Sequence, residues 1–190
     1  MIFPMKINST VFEKFPILET KRLILREIKE IDAEEIFKMR ADGRVNEFIA
    51  RPQMLKLETA QELVEKTRNA FATKQGIGWA GVVKNTSTII GSCGFNSIDF
   101  DNLRAEIGGE LSVHFWGKRI AIEAVTEIVN FGFSHLNFHT IDAKVFPNNR
   151  GAIFLLELLG FTKEAHLKDR IYFNGKFTDM AIYSITNPNH

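Results

Sequence analysis

The segment Ala105 to Val125, AEIGGELSVHFWGKRIAIEAV, gathers residue types that can hold a phosphate and move a proton. An apolar strand runs into a short basic loop, Gly117, Lys118 and Arg119. That loop opens directly into a helix whose Ala121, Ala124, Val125, Ile128 and Val129 recur at core-facing spacing. The first amides of a helix have no partners within it, and the helix dipole adds positive potential, so an anion at this junction supplies what both lack. Upstream, Glu106 and Glu110 share strand parity and hence one face, where a carboxylate can accept a proton from an ammonium group. Each feature also has a plainer explanation. Strand-to-helix turns use glycine and lysine for packing and solubility, and a strand glutamate can simply be solvated.

Other candidate chemistry is thin. Cys93 is the single cysteine, which excludes an internal disulfide and a cysteine-rich metal site. Within IIGSCGF a small buried thiol is expected rather than a nucleophile served by His114, His135 or His139. With His166 and His190 included, the histidines show no compact ligand spacing, so no metal is predicted. Trp79 and Trp116 suit a pocket wall, and suit a core equally well.

The chain has 190 residues, 45% of them hydrophobic, enough for one sizeable core; a single domain over residues 1–190 is expected. The 24 basic and 23 acidic residues leave a formal charge of +1 without a long like-charge block, which argues against a nucleic-acid partner. No apolar run approaches the roughly 20 residues of a membrane-spanning helix. The opening MIFPMK lacks an extended apolar segment for secretion, so a cytoplasmic protein is expected.

The positioning elements follow from periodicity. Arg22 to Ile28 alternates apolar and charged side chains as a half-buried strand does, and IDAEEIFKMR then switches to helical spacing, with Asp32 and Glu35 as a start signal. Thr59 and Glu62 have capping-box spacing ahead of a second helix over Thr59 to Thr73. GWAGVV and IIGSCGF flank KNTST as an antiparallel hairpin. After the phosphate-loop strand and its helix come a strand in HTIDAKVF, a helix in NNRGAIFLLELLGF ending at Gly160, and a hairpin, RIYFNGKFTDMAIYSI, turned at Asn174-Gly175. The N-terminal dozen residues are expected to be loose. The whole is an α+β chain with a mixed sheet and helices on its faces.

This element order resembles the GNAT family of acetyl-CoA-dependent N-acetyltransferases, particularly its RimJ/RimL-like branch. The resemblance covers nearly the whole chain and is carried by ETKRLILREI, AEIGGEL, FWGKRIAIEAV, VFPNNRGAIFLLELLGF and YFNGKFTDMAIYSI. It implies a central, mostly antiparallel sheet of about seven strands in which two strands splay apart to admit pantetheine. Leu111, Ser112 and Val113 would supply the pairing edge, and Trp116, Gly117, Lys118, Arg119, Ile120 and Ala121 the pyrophosphate loop. Asn149 would bond near pantetheine, and Glu106 would act as general base. Arg119 stands where the family has glycine. Its guanidinium is expected to contact a phosphate, the contrary outcome being obstruction by its bulk. Leu156 stands where many relatives have a tyrosine that protonates the leaving thiolate, and Ala152 where this branch has serine. The implied reaction is direct attack by a primary amine, either a protein N-terminal amine or a small amine, on acetyl-CoA. Asp42 to Leu57 and the terminal hairpin would shape the acceptor pocket, and a homodimer is plausible. The contrasting reading is a non-catalytic acyl-CoA-binding or regulatory protein that keeps the fold.

Overall fold

A computed structural model of the chain describes residues 6–190. Eight strands form one sheet in the order β1-β2-β3-β4-β5-β6-β8-β7. These are β1 (Leu18–Glu19), β2 (Leu23–Glu27), β3 (Ile77–Val83), β4 (Ile89–Asp99), β5 (Arg104–Leu111), β6 (Thr140–Val145), β7 (Thr162–Phe173) and β8 (Lys176–Thr186). All neighbours are antiparallel except β5 and β6. The strand beyond the expected seven is the two-residue β1, too short to show an alternation.

Alternation along the strands splits the apolar residues between two faces. Trp79 and Ala80 are neighbours on β3 and both fully buried, yet they belong to different clusters. Trp79 joins the main core with Phe95, Ile107 and Ile141, covered by α4 (Ile120–Ser134) through Ala124, Ile128 and Val129. Ala80 joins Ile36 of α1 (Ala33–Ala41) and Ala60 and Val64 of α3 (Leu57–Ala72). A short α2 (Gly43–Asn46) lies between these two helices, and α5 (Arg150–Leu158) follows β6. The helix α4 approaches β4 closely at Gly132, where a Cβ would lie 2.8 Å from the Phe95 ring.

Local signals need three corrections. Asp32 does not cap α1; its carboxylate pairs with Arg26 at 2.7 Å and accepts the Lys29 amide. The helix α3 begins at Leu57, so Thr59 is already inside it. The first dozen residues are not loose where they are described: the Asn8 backbone amide donates to the Leu136 carbonyl at 3.0 Å and Phe12 is buried. Residues 1–5 of that stretch lie outside the described ones. The Asn174-Gly175 turn appears as expected, both residues having positive φ, 51° and 79°.

Candidate active site

The parallel ladder between β5 and β6 runs only from Arg104 opposite Thr140 to Ile107 opposite Ala143. Beyond it β5 continues to Leu111, while β6 continues to Val145 paired with β8. The strands part there, and a cleft of about 490 Å³ opens, lined by residues of α1, β5, β6, α4 and α5.

Backbone geometry selects which groups face the gap. The Ser112 amide donates to the Ile90 carbonyl at 2.8 Å, on the β4 side. Alternation therefore turns the amides of Leu111 and Gly109 the other way, toward the gap. The Leu111 carbonyl accepts the Trp116 indole N–H at 2.9 Å, and a 3₁₀ turn over Val113–Phe115 ends the edge. Of Leu111, Ser112 and Val113, Ser112 has its amide held by β4, while Leu111 turns its amide to the gap and Val113, at the start of the turn, has an amide that donates to no described residue.

The loop ahead of α4 is left-handed at both Gly117 (φ 71°) and Arg119 (φ 55°). Arg119 thus adopts the conformation that glycine takes without strain, at a cost of about 1 kcal/mol for a residue with a Cβ. Its side chain is exposed, makes no hydrogen bond or ion pair with any described residue, and does not cap α4, whose first amides stay open. The Lys118 ammonium stands 5.1 Å over the Phe115 ring. Arg22 anchors this loop from β2's entry, donating to the Lys118 carbonyl at 2.9 Å and pairing with Glu123 at 2.6 Å. Sequence reading missed Arg22 and Glu123 because they stand 101 positions apart in the chain. Ile120 and Ala121 begin α4 and line the cleft. Asn149 caps α5, its side-chain oxygen accepting the Ala152 amide at 3.1 Å, and it also lines the cleft, as does the buried Leu156.

Ala105 and Ile107 pack with α4 in the main core, so Glu106 and Glu110 project from the opposite face. There they meet different surroundings. Glu106, partly exposed, pairs with Lys144 at 2.6 Å. Glu106 lies in register with Asp142, whose carboxyl is pushed up by burial, an effect that Arg104 partly opposes and Glu106 reinforces. Glu110 is 2% exposed and is held by Arg40 Nε at 2.7 Å, by Arg51 and by the Ser92 hydroxyl at 3.2 Å. Both arginines come from outside the sheet, Arg40 from α1 and Arg51 from the segment between α2 and α3. Glu110 is thus tied to two arginines, whereas Glu106 has one charged partner, Lys144. Burial pushes the Cys93 thiol up to about 12, which removes it as a nucleophile.

The model of the acetyltransferase (GNAT) domain matches residues 22–162. The uncharacterized N-acetyltransferase YoaA of Bacillus subtilis is 37% identical over 92% of this chain and 98% of its own length. The uncharacterized N-acetyltransferase p20 of Bacillus licheniformis is 35% identical over 88% of this chain and 94% of its own. Among solved structures, RimL, a ribosomal L7/L12 alpha-N-protein acetyltransferase in complex with coenzyme A, superposes with a TM-score of 0.84 at 19% identity, over 90% of this chain and 98% of that one.

Proposed function

The chain belongs to the GNAT family and is an acetyl-CoA-dependent N-acetyltransferase, and from that premise we propose that its acceptor is a primary amine, a protein N-terminal amine among the candidates, deprotonated by Glu106. The observation that carries this reading is the parting of β5 and β6. It leaves the Leu111 and Gly109 amides facing a gap that leads to the uncapped start of α4.

The residues present fit acetyl-CoA. Open helix amides with Lys118 and Arg119 beside them suit a pyrophosphate. A backbone edge at Leu111 suits an amide-bearing arm, and Asn149 stands on the cleft wall. When bound, acetyl-CoA supplies the activated acyl group.

The chain's own contribution is placement and proton transfer. Holding amine and thioester together lowers a barrier by about 7–11 kcal/mol, while a positioned base contributes roughly a hundred- to ten-thousand-fold. Glu106 and Gly109 are separated by about 10 Å of strand, so the carboxylate takes the ammonium proton through an intervening water. The freed nitrogen lone pair then adds to the acyl carbon to form the C–N bond, and once the nitrogen has released its second proton to solvent the C–S bond breaks. The gap-facing amides at Gly109 and Leu111 stabilise the oxyanion in between. The thiolate leaves and is protonated from solvent. No residue of the chain becomes acetylated.

The test is amine-dependent thiol release from acetyl-CoA. Glu106→Gln is expected to lower kcat by about a hundredfold or more without changing acetyl-CoA affinity. An unchanged rate and pH profile would remove Glu106 from this role. Absence of release across primary amines would remove the acceptor assignment.

A further inference from the structure

The two carboxylates on the cleft face of β5 are compensated unequally. Glu106 has one ammonium partner, Lys144, and that pair is neutral. Glu110 has two guanidinium partners, so the trio of Arg40, Arg51 and Glu110 carries an uncancelled positive charge. All three line the cleft, with side chains 19%, 18% and 2% exposed. Charge withdrawn from water without a full complement is unfavourable. Burial accordingly holds the Arg51 guanidinium below its usual range, and the nearby Arg40 reinforces this against the pull of Glu110.

The hydrogen bonds point the same way. Arg40 uses its Nε on Glu110, and its two terminal nitrogens donate to no described residue. Arg51 donates its Nε to the Asn46 side-chain oxygen at 2.8 Å. Its Nη2 pairs with the second Glu110 oxygen, and its Nη1 donates to no described residue. Terminal guanidinium N–H groups form a planar fork that matches a carboxylate. Gly109 and Leu111, whose amides edge the gap, flank Glu110 in β5, so these free donors stand beside the place where an acceptor amine would meet the acyl group.

We infer that Arg40 and Arg51 bind a side-chain carboxylate of the acceptor, so that the acetylated amine belongs to an acidic amino acid, or to a peptide with an acidic side chain close to its reacting nitrogen. This rests on the reading of the cleft as an amine-acetylating site. Glu110 serves as the post that orients the two guanidiniums. The same charge repels polyamines.

The experiment uses matched acceptors: aspartate with asparagine, glutamate with glutamine, the dipeptide Asp-Ala with Asn-Ala, and spermidine. Thiol release and calorimetric binding are both read on the acetyl-CoA-saturated protein. The acidic members are expected to show kcat/KM at least about tenfold above their amides, and the free amino acids against the dipeptides identify the source. Arg40→Gln and Arg51→Gln should each erase that preference by raising KM for acidic acceptors, with KM for acetyl-CoA unchanged. Arg40→Lys keeps the charge that Glu110 needs for folding but loses the fork, and should retain part of the preference.

Equal or better use of the amides or spermidine overturns the inference, as does an equal fall for every acceptor in Arg40→Gln or, should that variant not fold, in Arg40→Lys. If acetyl-CoA binds and no amine releases thiol, the acetyl-transfer reading of the acceptor fails and binding alone decides. Acid-selective heat that Arg40→Lys weakens upholds the anion site, and its absence overturns it.

Discussion

Arg22 reaches Glu123 with its Nε at 2.6 Å and the Lys118 carbonyl with its Nη1 at 2.9 Å, so one guanidinium clasps both sides of the turn that begins α4. Glu123 is further held by the Thr20 hydroxyl at 2.9 Å and the Arg22 amide at 3.1 Å. The clasp fixes the backbone whose amides face the proposed pyrophosphate site.

Arg22→Ala should therefore weaken acetyl-CoA binding by about three- to tenfold. With side chains 39% and 22% exposed, the screened pair contributes only about 0.5–1 kcal/mol to stability. Calorimetry and urea unfolding separate the two effects. The carboxyl of Glu123 is pushed up by burial, but the Thr20 hydroxyl and Arg22 outweigh this and hold it below its ordinary 4.5. A depressed folded value means that the contribution is complete above the ordinary value and disappears as pH falls through the folded one. The stabilisation lost in Arg22→Ala should thus be constant from neutral pH down toward 4.5 and shrink below it.

Arg119 combines a strained backbone with a free guanidinium, and Arg119→Gly removes both. Relief of the left-handed conformation is expected to stabilise the ligand-free protein by about 1 kcal/mol. Loss of the phosphate contact is expected to raise the Kd for acetyl-CoA by about three- to tenfold. Opposite signs in melting and binding are the signature. Tighter binding in the glycine variant would show that the arginine obstructs the site.

The strands and helices that build the cleft were legible where one period persists over many residues. RLILREI and the α4 segment are such stretches, and Asn174-Gly175 marks its turn by chemistry alone. β7 was legible only from Arg170 onward, because register shifts between Lys163 and Ala165 and between Leu167 and Ile171 break the two-residue alternation. Asp32 carried a helix-start signature and serves an ion pair instead, since Arg26 on the preceding strand competes for the same carboxylate. The loop residues of the candidate site stand together in sequence and were found together. Arg40, Arg51 and Glu110 converge from α1, a connecting segment and β5, and no local pattern joins them.

The Arg26–Asp32 pair ties β2 to the entry of α1, the helix that carries Arg40. Asp32 is 4% exposed and Arg26 20%, with two bonds between them at 2.7 and 2.8 Å. Burial pushes the Asp32 carboxyl up, but Arg26 and the Lys29 amide more than offset it, so its folded value lies below the ordinary 3.8. Its contribution is thus complete above that value and lost on further acidification. Asp32→Asn leaves a guanidinium short of its partner and should cost about 3 kcal/mol in urea unfolding at neutral pH, with the difference from wild type narrowing below pH 3.8.

Cys93 stands on the cleft wall opposite Gly109, where an added Cβ would come within 2.9 Å of the cysteine's own. A thiol so close to the proposed acyl position invites a covalent role, yet burial pushes its pKa up to about 12. At pH 8 about one molecule in ten thousand would then carry the thiolate, the only form that attacks a thioester or an alkylating agent. Iodoacetamide should label the folded protein far more slowly than the unfolded chain, and Cys93→Ala should keep kcat within about twofold, since it leaves the gap-facing amides in place. A kcat collapse in that variant, with acetyl-CoA binding intact, would instead demand an acetyl-cysteine intermediate. That route requires a neighbouring base to create the thiolate, and among the described residues the thiol's polar partner is the Gly94 backbone, not a carboxylate or an imidazole.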